Sequence, residues 1–409
     1  MQFIADFHIH SKYSRATSPS MDVESISKYA KIKGISLVGT GDFTHPLWLE
    51  ELKQKLKPLG NGLFDYDGTL FMLTSEVNNF FHSGGKLKQV HNILFAPSFE
   101  VVEQINELIG RKGDLRSDGR PSLGMSAADL VELVMGVSKD CAIVPAHVWT
   151  PWRSIFGSAS GFNSVEECFG DQSKHIFAFE SGLSSDPKMN WMLSSLDKYA
   201  LISNSDSHSP AKIGREANVF DLKEPTYLSL LEAIKKKDME KFKMTVEFFP
   251  EEGKYHYDGH RIHNVRFSPE ESIRNNNICP VCKRKLTIGV MHRVMELADR
   301  KYGYTPPNAV PFVHAIPLEE LIASVRGKGV GSASVQTEYS SLISSFGTEF
   351  NVLLTAEMDE LRRKAPADIA DAILHVREGK VKILPGYDGV YGEIQLKEEA
   401  GQSNLSKFF

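Results

Sequence analysis

Along the first 222 residues, short apolar runs alternate with longer stretches in which apolar side chains recur at helical spacing. The short runs at 3–7, 35–40, 69–73, 92–95, 142–145, 176–180 and 200–203 predict strands. Amphipathic stretches at 21–33 and 127–135 predict helices between them. Strands alternating with helices predict a mostly parallel α/β sheet or barrel. Such folds carry their chemistry at the carboxyl ends of the strands, and there the sequence places His, Asp and Glu residues.

The pattern changes after residue 222. A charged run, Lys-Lys-Lys-Asp-Met-Glu-Lys-Phe-Lys, and a Pro-Glu-Glu-Gly break predict a linker over 223–254. Residues 255–302 hold a Cys-x-x-Cys element and an apolar-periodic helix over 289–302, and 303–400 read as a helical domain. Glycine-rich 327–331 and the Pro-Gly-Tyr-Asp-Gly run at 385–389 interrupt it, and 401–409 read as a detached tail.

Composition narrows the class. A chain of 409 residues calls for two or three domains, and 41% hydrophobic with 24% charged residues is ordinary globular usage. No apolar run approaches the roughly 18 residues that cross a bilayer, and Met-Gln-Phe-Ile-Ala-Asp-Phe-His-Ile-His is no secretory signal. A cytoplasmic protein with no membrane partner is expected. The net charge of -5 decides nothing about nucleic acid, since a local basic stripe is enough. Cys141 and Cys168 read as buried hydrophobes, while Cys279 and Cys282 read as a metal or redox pair.

His8 and His10 close the first predicted strand at a spacing that puts both imidazoles on one face, with Asp6 beside them. Such a pair alone is ordinary packing. Here further strand ends deliver Asp42, Glu76, His91, His147, Glu180, Asp206 and His208. Each buried ionisable group would cost several kcal/mol unless paired or metal-bound, so the set predicts a metal centre.

In its order of motifs (Asp-x-His-x-His, Thr-x-Asp near 40, a mid-domain Glu, two separate His, a closing Asp-x-His), the chain resembles the polymerase and histidinol phosphatase (PHP) family over about 1–222. The resemblance implies a distorted (β/α)7 PHP barrel that binds two or three divalent ions (Zn, Mn or Mg) and hydrolyses phosphoesters. It implies that His8, His10, Glu76 and Asp206 hold a first metal and act in catalysis. Glu76 would bridge to a second metal on His91 and His147, and His208 with Asp42 would serve a third. Asp42 stands near a position where many members have His, Ser14 near one where some do, and His45 is a lesser ligand candidate. Metal-activated water would attack in line, with no covalent enzyme intermediate. Arg215 is a candidate phosphate clamp, although a structural salt bridge would equally account for it. Trp149 and Trp152 read as an aromatic wall or as packing.

His260-x-x-His263, then fifteen residues, then Cys279-x-x-Cys282 is the N/S set of one structural zinc, with His256 as competitor for a ligand. Lys283, Arg284, Lys285 and Arg293 make the region basic, as phosphate-backbone contact or a solvated face would require. Gln402, Leu405, Phe408 and Phe409 form a Q-x-x-(aliphatic)-x-x-aromatic-aromatic box that resembles sliding-clamp-binding tails. Within the PHP family the chain looks most like the endonuclease Q group. That resemblance implies cleavage of DNA containing a damaged base, on the 5′ side of hypoxanthine, uracil, xanthine or an abasic site. Asn78, Asn79 and residues 83–88 are candidates for reading the base. The competing expectations are a small-molecule phosphatase of the histidinol-phosphate type and a non-catalytic clamp-associated adaptor.

Overall fold

The computed structural model describes residues 2–159 and 161–396; the tail box, with Gln402, Leu405, Phe408 and Phe409, lies outside them. Besides short strands at Lys57–Pro58, Phe64–Tyr66 and Ser122–Leu123, ten strands frame the catalytic half among the described residues. In chain order they are β1 (Gln2–Asp6), β2 (Leu37–Gly39), β3 (Thr69–Ser83), β4 (Lys86–Ala96), β5 (Ala142–Pro145), β6 (Ala178–Glu180), β7 (Ala200–Ile202), β8 (Ala217–Asp221), β9 (Phe242–Glu247) and β10 (Phe312–His314). β1, β2 and β3 pair in parallel, as do β6 with β7 and β9 with β10. This is the α/β barrel the sequence predicts, in distorted form.

The expectation of a mostly parallel sheet fails at β3 and β4. Gly84 and Gly85, at φ 57° and 74°, make a two-residue turn that folds one long antiparallel hairpin, closed by the Ser83–Lys86 pair. β5 extends it antiparallel, and β8 joins β1 and β9 antiparallel on the other side. Phe7, Phe95 and Phe220 plug the barrel, with ring centroids 5.8 Å and 6.0 Å from Phe7. His8, His10, His147 and Asp206 follow the ends of β1, β5 and β7, whereas Glu76 and His91 lie midway along the β3–β4 hairpin.

Residues 223–254 are not an open linker. They carry a helix, Tyr227–Lys236, and β9, which is hydrogen-bonded between β8 and β10. The lysine run ends that helix, with Lys237 in the left-handed region at φ 48° as its cap. The helix expected over 289–302 is shorter, Val290–Leu297.

The zinc-type module is a short hairpin, Asp258–His260 against Val265–Phe267, followed by a helix at Pro269–Arg274. Its own buried apolar residues are Val265, Cys279 and Leu286. So small a core calls for a staple such as a metal. The C-terminal region packs helices Leu318–Arg326, Ala333–Phe346, Met358–Lys364 and Ala367–Arg377 around a separate core. Lys33 of the barrel and Glu349 of this region form a buried ion pair at 2.7 Å, and Tyr339 donates to the same carboxylate. No helix among the described residues is long and apolar enough to cross a membrane.

Candidate metal centre

Glu76 is on β3, where alternation turns it to the same face as Asn78; across the hairpin, Asn78 pairs in register with His91. One oxygen of Glu76, Oε1, is 2.6 Å from His91 Nδ1 and 2.9 Å from His147 Nε2. The other, Oε2, is 3.3 Å from His10 Nε2 and 3.7 Å from His8 Nε2. Asp206 Oδ1 completes that side, 3.0 Å from His10 Nε2 and 3.7 Å from His8 Nε2. The donors therefore form two groups, His8-His10-Glu76-Asp206 and Glu76-His91-His147, which share one carboxylate. These spacings suit donors arranged around divalent cations at about 2.0–2.2 Å each.

His8 supplies the test of fit. Its Nδ1 donates to both oxygens of Glu180, at 2.9 Å and 3.0 Å, while its Nε2 is buried without a hydrogen-bond partner. A buried ring nitrogen left open between two carboxylates suits a cation. The residues present thus fit divalent metals.

Burial opposes charge on His8, His10 and His147, but the surrounding carboxylates raise all three, so a cation bound there would displace protons. Burial alone would raise the Glu76 carboxyl, but His91, Arg120 and His8 hold it well below the usual carboxylate range. Burial likewise opposes ionisation of Asp206, yet His8 and His10 pull it down. Burial takes His91 down to about 4, so its ring is neutral and able to ligate near pH 7. Asp42, His147 and Asp206 are non-glycine residues at φ 48°, 31° and 47°. Left-handed backbone at such residues marks a site where surrounding structure imposes the geometry.

The residues assigned to a third position are placed differently. Asp42 accepts from Ser11 N (2.6 Å), Ser11 Oγ (2.7 Å) and Ser14 Oγ (2.9 Å), and His10 Nδ1 donates to it at 3.0 Å. Its oxygens are engaged behind the His10 ring, outside both donor groups. His208 uses Nδ1 on the Asp206 carbonyl at 2.9 Å and also lies outside them. His45 stacks on Tyr13 and reaches the Arg116 carbonyl.

Other candidates resolve into structural roles. Arg215 donates from Nε to the Ser205 carbonyl at 3.0 Å, and Arg293 donates to the Phe156 and Phe162 carbonyls. Asn79 bonds inward, to the Met125 carbonyl. Trp149 is buried and bonded to Asn190, whereas Trp152 is 51% exposed, edge-on to Tyr255. Asn78 donates to Ser122 Oγ but leaves Oδ1 buried without a partner.

Sequence reasoning missed Arg120. Its Nη1 donates to Glu76 Oε2 at 3.1 Å, from a loop without any motif of its own. An arginine between Gly119 and Pro121 gives no periodic or spacing signal.

In the small module, His260, His263, Cys279 and Cys282 present four donor atoms within 4.8 Å of one another. Cys282 Sγ is 3.3 Å from His260 Nδ1, Cys279 Sγ is 3.6 Å from His263 Nδ1, and the two Nδ1 atoms are 3.2 Å apart. This is a closed N2S2 set with no further protein donor in the group. His256 is buried elsewhere, its ring stacked on Tyr257. Lys283, Arg284 and Lys285 are exposed beside the set.

Comparison with known proteins places this architecture. A family profile described as PHP-associated matches residues 198–239, and one described as the MJ0043 C-terminal domain matches 317–380. The uncharacterized protein YqxK of Bacillus subtilis is 29% identical over 96% of this chain and 98% of its own. The uncharacterized protein MJ0043 of Methanocaldococcus jannaschii is 34% identical over 62% of this chain, but the match spans only 32% of that longer protein. The crystal structure of the lesion-specific endonuclease PfuEndoQ from Pyrococcus furiosus superposes with a TM-score of 0.88 at 33% identity, over 100% of this chain and 98% of that one. An endonuclease Q in complex with a 27-mer duplex carrying an abasic lesion gives 0.86 at 33%, with both chains fully covered.

Barrel, shared glutamate and profile together define a metal-dependent enzyme of the PHP class. Within that class, full-length similarity at 33% identity is decisive: the chain belongs to the endonuclease Q family.

Proposed function

We propose that this chain is a DNA repair endonuclease that hydrolyses the phosphodiester on the 5′ side of a deaminated base (hypoxanthine, uracil or xanthine) or an abasic site, by a multi-metal mechanism. The observation that carries the reading is the Glu76 carboxylate, whose two oxygens serve two separate donor groups. The endonuclease Q complex with an abasic lesion at its active site supports DNA as the partner.

In this reading His8, His10, Glu76 and Asp206 hold one divalent cation, and Glu76, His91 and His147 hold the second. Bound divalent cations supply Lewis acidity toward the phosphodiester and acidify nearby water. The chain's own work is to fix the donors. Glu180 sets the His8 tautomer by accepting from Nδ1, and Asp42 does the same for His10. Asp42, occupied by Ser11 and Ser14, acts through His10, and His208 keeps Nε2 as its donor atom for a third cation.

The N2S2 set holds a structural zinc that staples the small module beside the barrel. The box at Gln402, Leu405, Phe408 and Phe409 binds a sliding clamp by seating its aromatics in an apolar pocket. Deleting 401–409 is expected to abolish capture on immobilised clamp while a short lesion duplex is still cut; undiminished capture would refute the clamp role. Lesion choice is tested with duplexes carrying hypoxanthine, uracil, xanthine or an abasic site beside an undamaged control. Cuts mapping 3′ of the lesion, or equal cutting of the control, would refute the lesion reading.

A further inference from the structure

The loop after the helix Phe99–Ile109 brings one cation to the carboxylate cluster, and the loop is pinned along its length. Gly119 N donates to the Tyr13 carbonyl at 3.0 Å, Thr44 Oγ1 donates to the Gly119 carbonyl at 3.1 Å, and Asn78 N donates to the Pro121 carbonyl at 3.0 Å. The contact at Gly119 is so close that a Cβ there would lie 2.3 Å from Asp42 Oδ2. Gly119 thus packs on Asp42, and Arg120, between these anchors, reaches Glu76, the carboxylate that the two donor groups share. Its side chain is only 19% exposed.

The guanidinium uses one N–H on Glu76 Oε2, at 3.1 Å; its other N–H groups meet no acceptor among the described residues. Those N–H groups are not closed off from solvent, so an anion can reach them beside the cluster. Glu76 and Asp206 both favour its charge, against the cost of burial. With Glu76 holding divalent cations, the free donors of this planar fork would stand beside them. That fork suits the non-bridging oxygens of a phosphodiester, where charge accumulates in the transition state.

We propose that Arg120 is a catalytic residue that donates hydrogen bonds to a non-bridging oxygen of the scissile phosphate. The inference rests on the phosphodiesterase reading above and adds a residue to it. Arg120 keeps its proton throughout. A water oxygen forms the new bond to phosphorus, one P–O ester bond breaks, and the leaving oxygen ends with a proton derived from water.

The test compares Arg120→Ala and Arg120→Lys with the intact protein. Metal content per chain is measured first, then the affinity of the metal-loaded protein for inorganic phosphate, then kcat and KM on lesion DNA and on bis(p-nitrophenyl) phosphate. Arg120→Ala is expected to keep its metals, to bind phosphate at least about tenfold more weakly and to lose about 10²–10³ in kcat, as for removal of one preorganised donor. Added guanidinium ion should restore part of the rate to the Ala variant, and Lys should substitute poorly. Loss of metal together with activity would overturn the proposal and make Arg120 a support for Glu76. Phosphate affinity and kcat within twofold of the intact protein would also overturn it. Turnover of the small diester without cutting of lesion DNA would sink the DNA reading alone, and phosphate affinity would still decide the role of Arg120.

Discussion

Glu180 receives the Nδ1 hydrogen of His8 at 2.9 Å and thereby fixes which nitrogen of that ring faces the metal groups. The same carboxylate accepts from the backbone N–H of His147 at 2.8 Å and from Asn204 Nδ2 at 2.9 Å. One buried acid on β6 thus ties a donor of the first group to the backbone of a donor of the second.

Glu180→Gln is therefore expected to weaken metal binding at the His8 group by about 10–100-fold, the usual effect of losing a carboxylate behind a ligating histidine. Calorimetric titration of the apoprotein measures it. Affinity equal to that of the intact protein would show that His8 does not depend on Glu180.

The small module should stand or fall with its metal. Cys279→Ser with Cys282→Ser is expected to lower zinc content by one ion per chain and to expose the segment 255–290 to limited proteolysis, since only Val265, Cys279 and Leu286 form its buried apolar core. Full protection in the double variant would argue that packing alone holds the module.

A buried carboxyl away from the metal groups gives a pH signature. Burial pushes Glu247 up to about 7, against hydrogen bonds from Thr245 and Ser181 that pull it down. An unfolded glutamate titrates near 4.3, so the native state holds the proton more tightly. The stability this group contributes is fully present below about 4.3 and is lost as pH rises through about 7. Glu247→Gln, which mimics the protonated form, should equal the intact protein in Tm near pH 4. It should exceed it by about 3 °C near pH 8. A difference that does not change with pH would contradict the assignment.

Much of the site was legible because its donors lie on, or just after, strands whose apolar runs are plain in the sequence. His8, His10, Glu76, His91, His147 and Asp206 fall into the expected groups for that reason, and the paired spacings of His260, His263, Cys279 and Cys282 bring those four together. What stayed hidden depends on tertiary approach. Nothing local marks Asp42 as the partner of Ser11 and Ser14, and only the close passage of Gly119 past Asp42 delivers Arg120 to Glu76. The left-handed backbone at Asp42, His147 and Asp206 likewise has no glycine to announce it. β9 was lost to the linker because it is short and follows a lysine-rich helix end. Its alternation is also broken by a register shift, which sends Phe242 to the core around Phe220 while Met244 and Val246 pack with Val219.

The central claim is tested most directly by nicking of a labelled duplex carrying one deoxyinosine or deoxyuridine, with divalent metal, beside Asp206→Ala. The account predicts a single cut 5′ of the lesion that disappears in the variant and on chelation. No cut by the intact, metal-loaded protein, or an equal cut by Asp206→Ala, would contradict it.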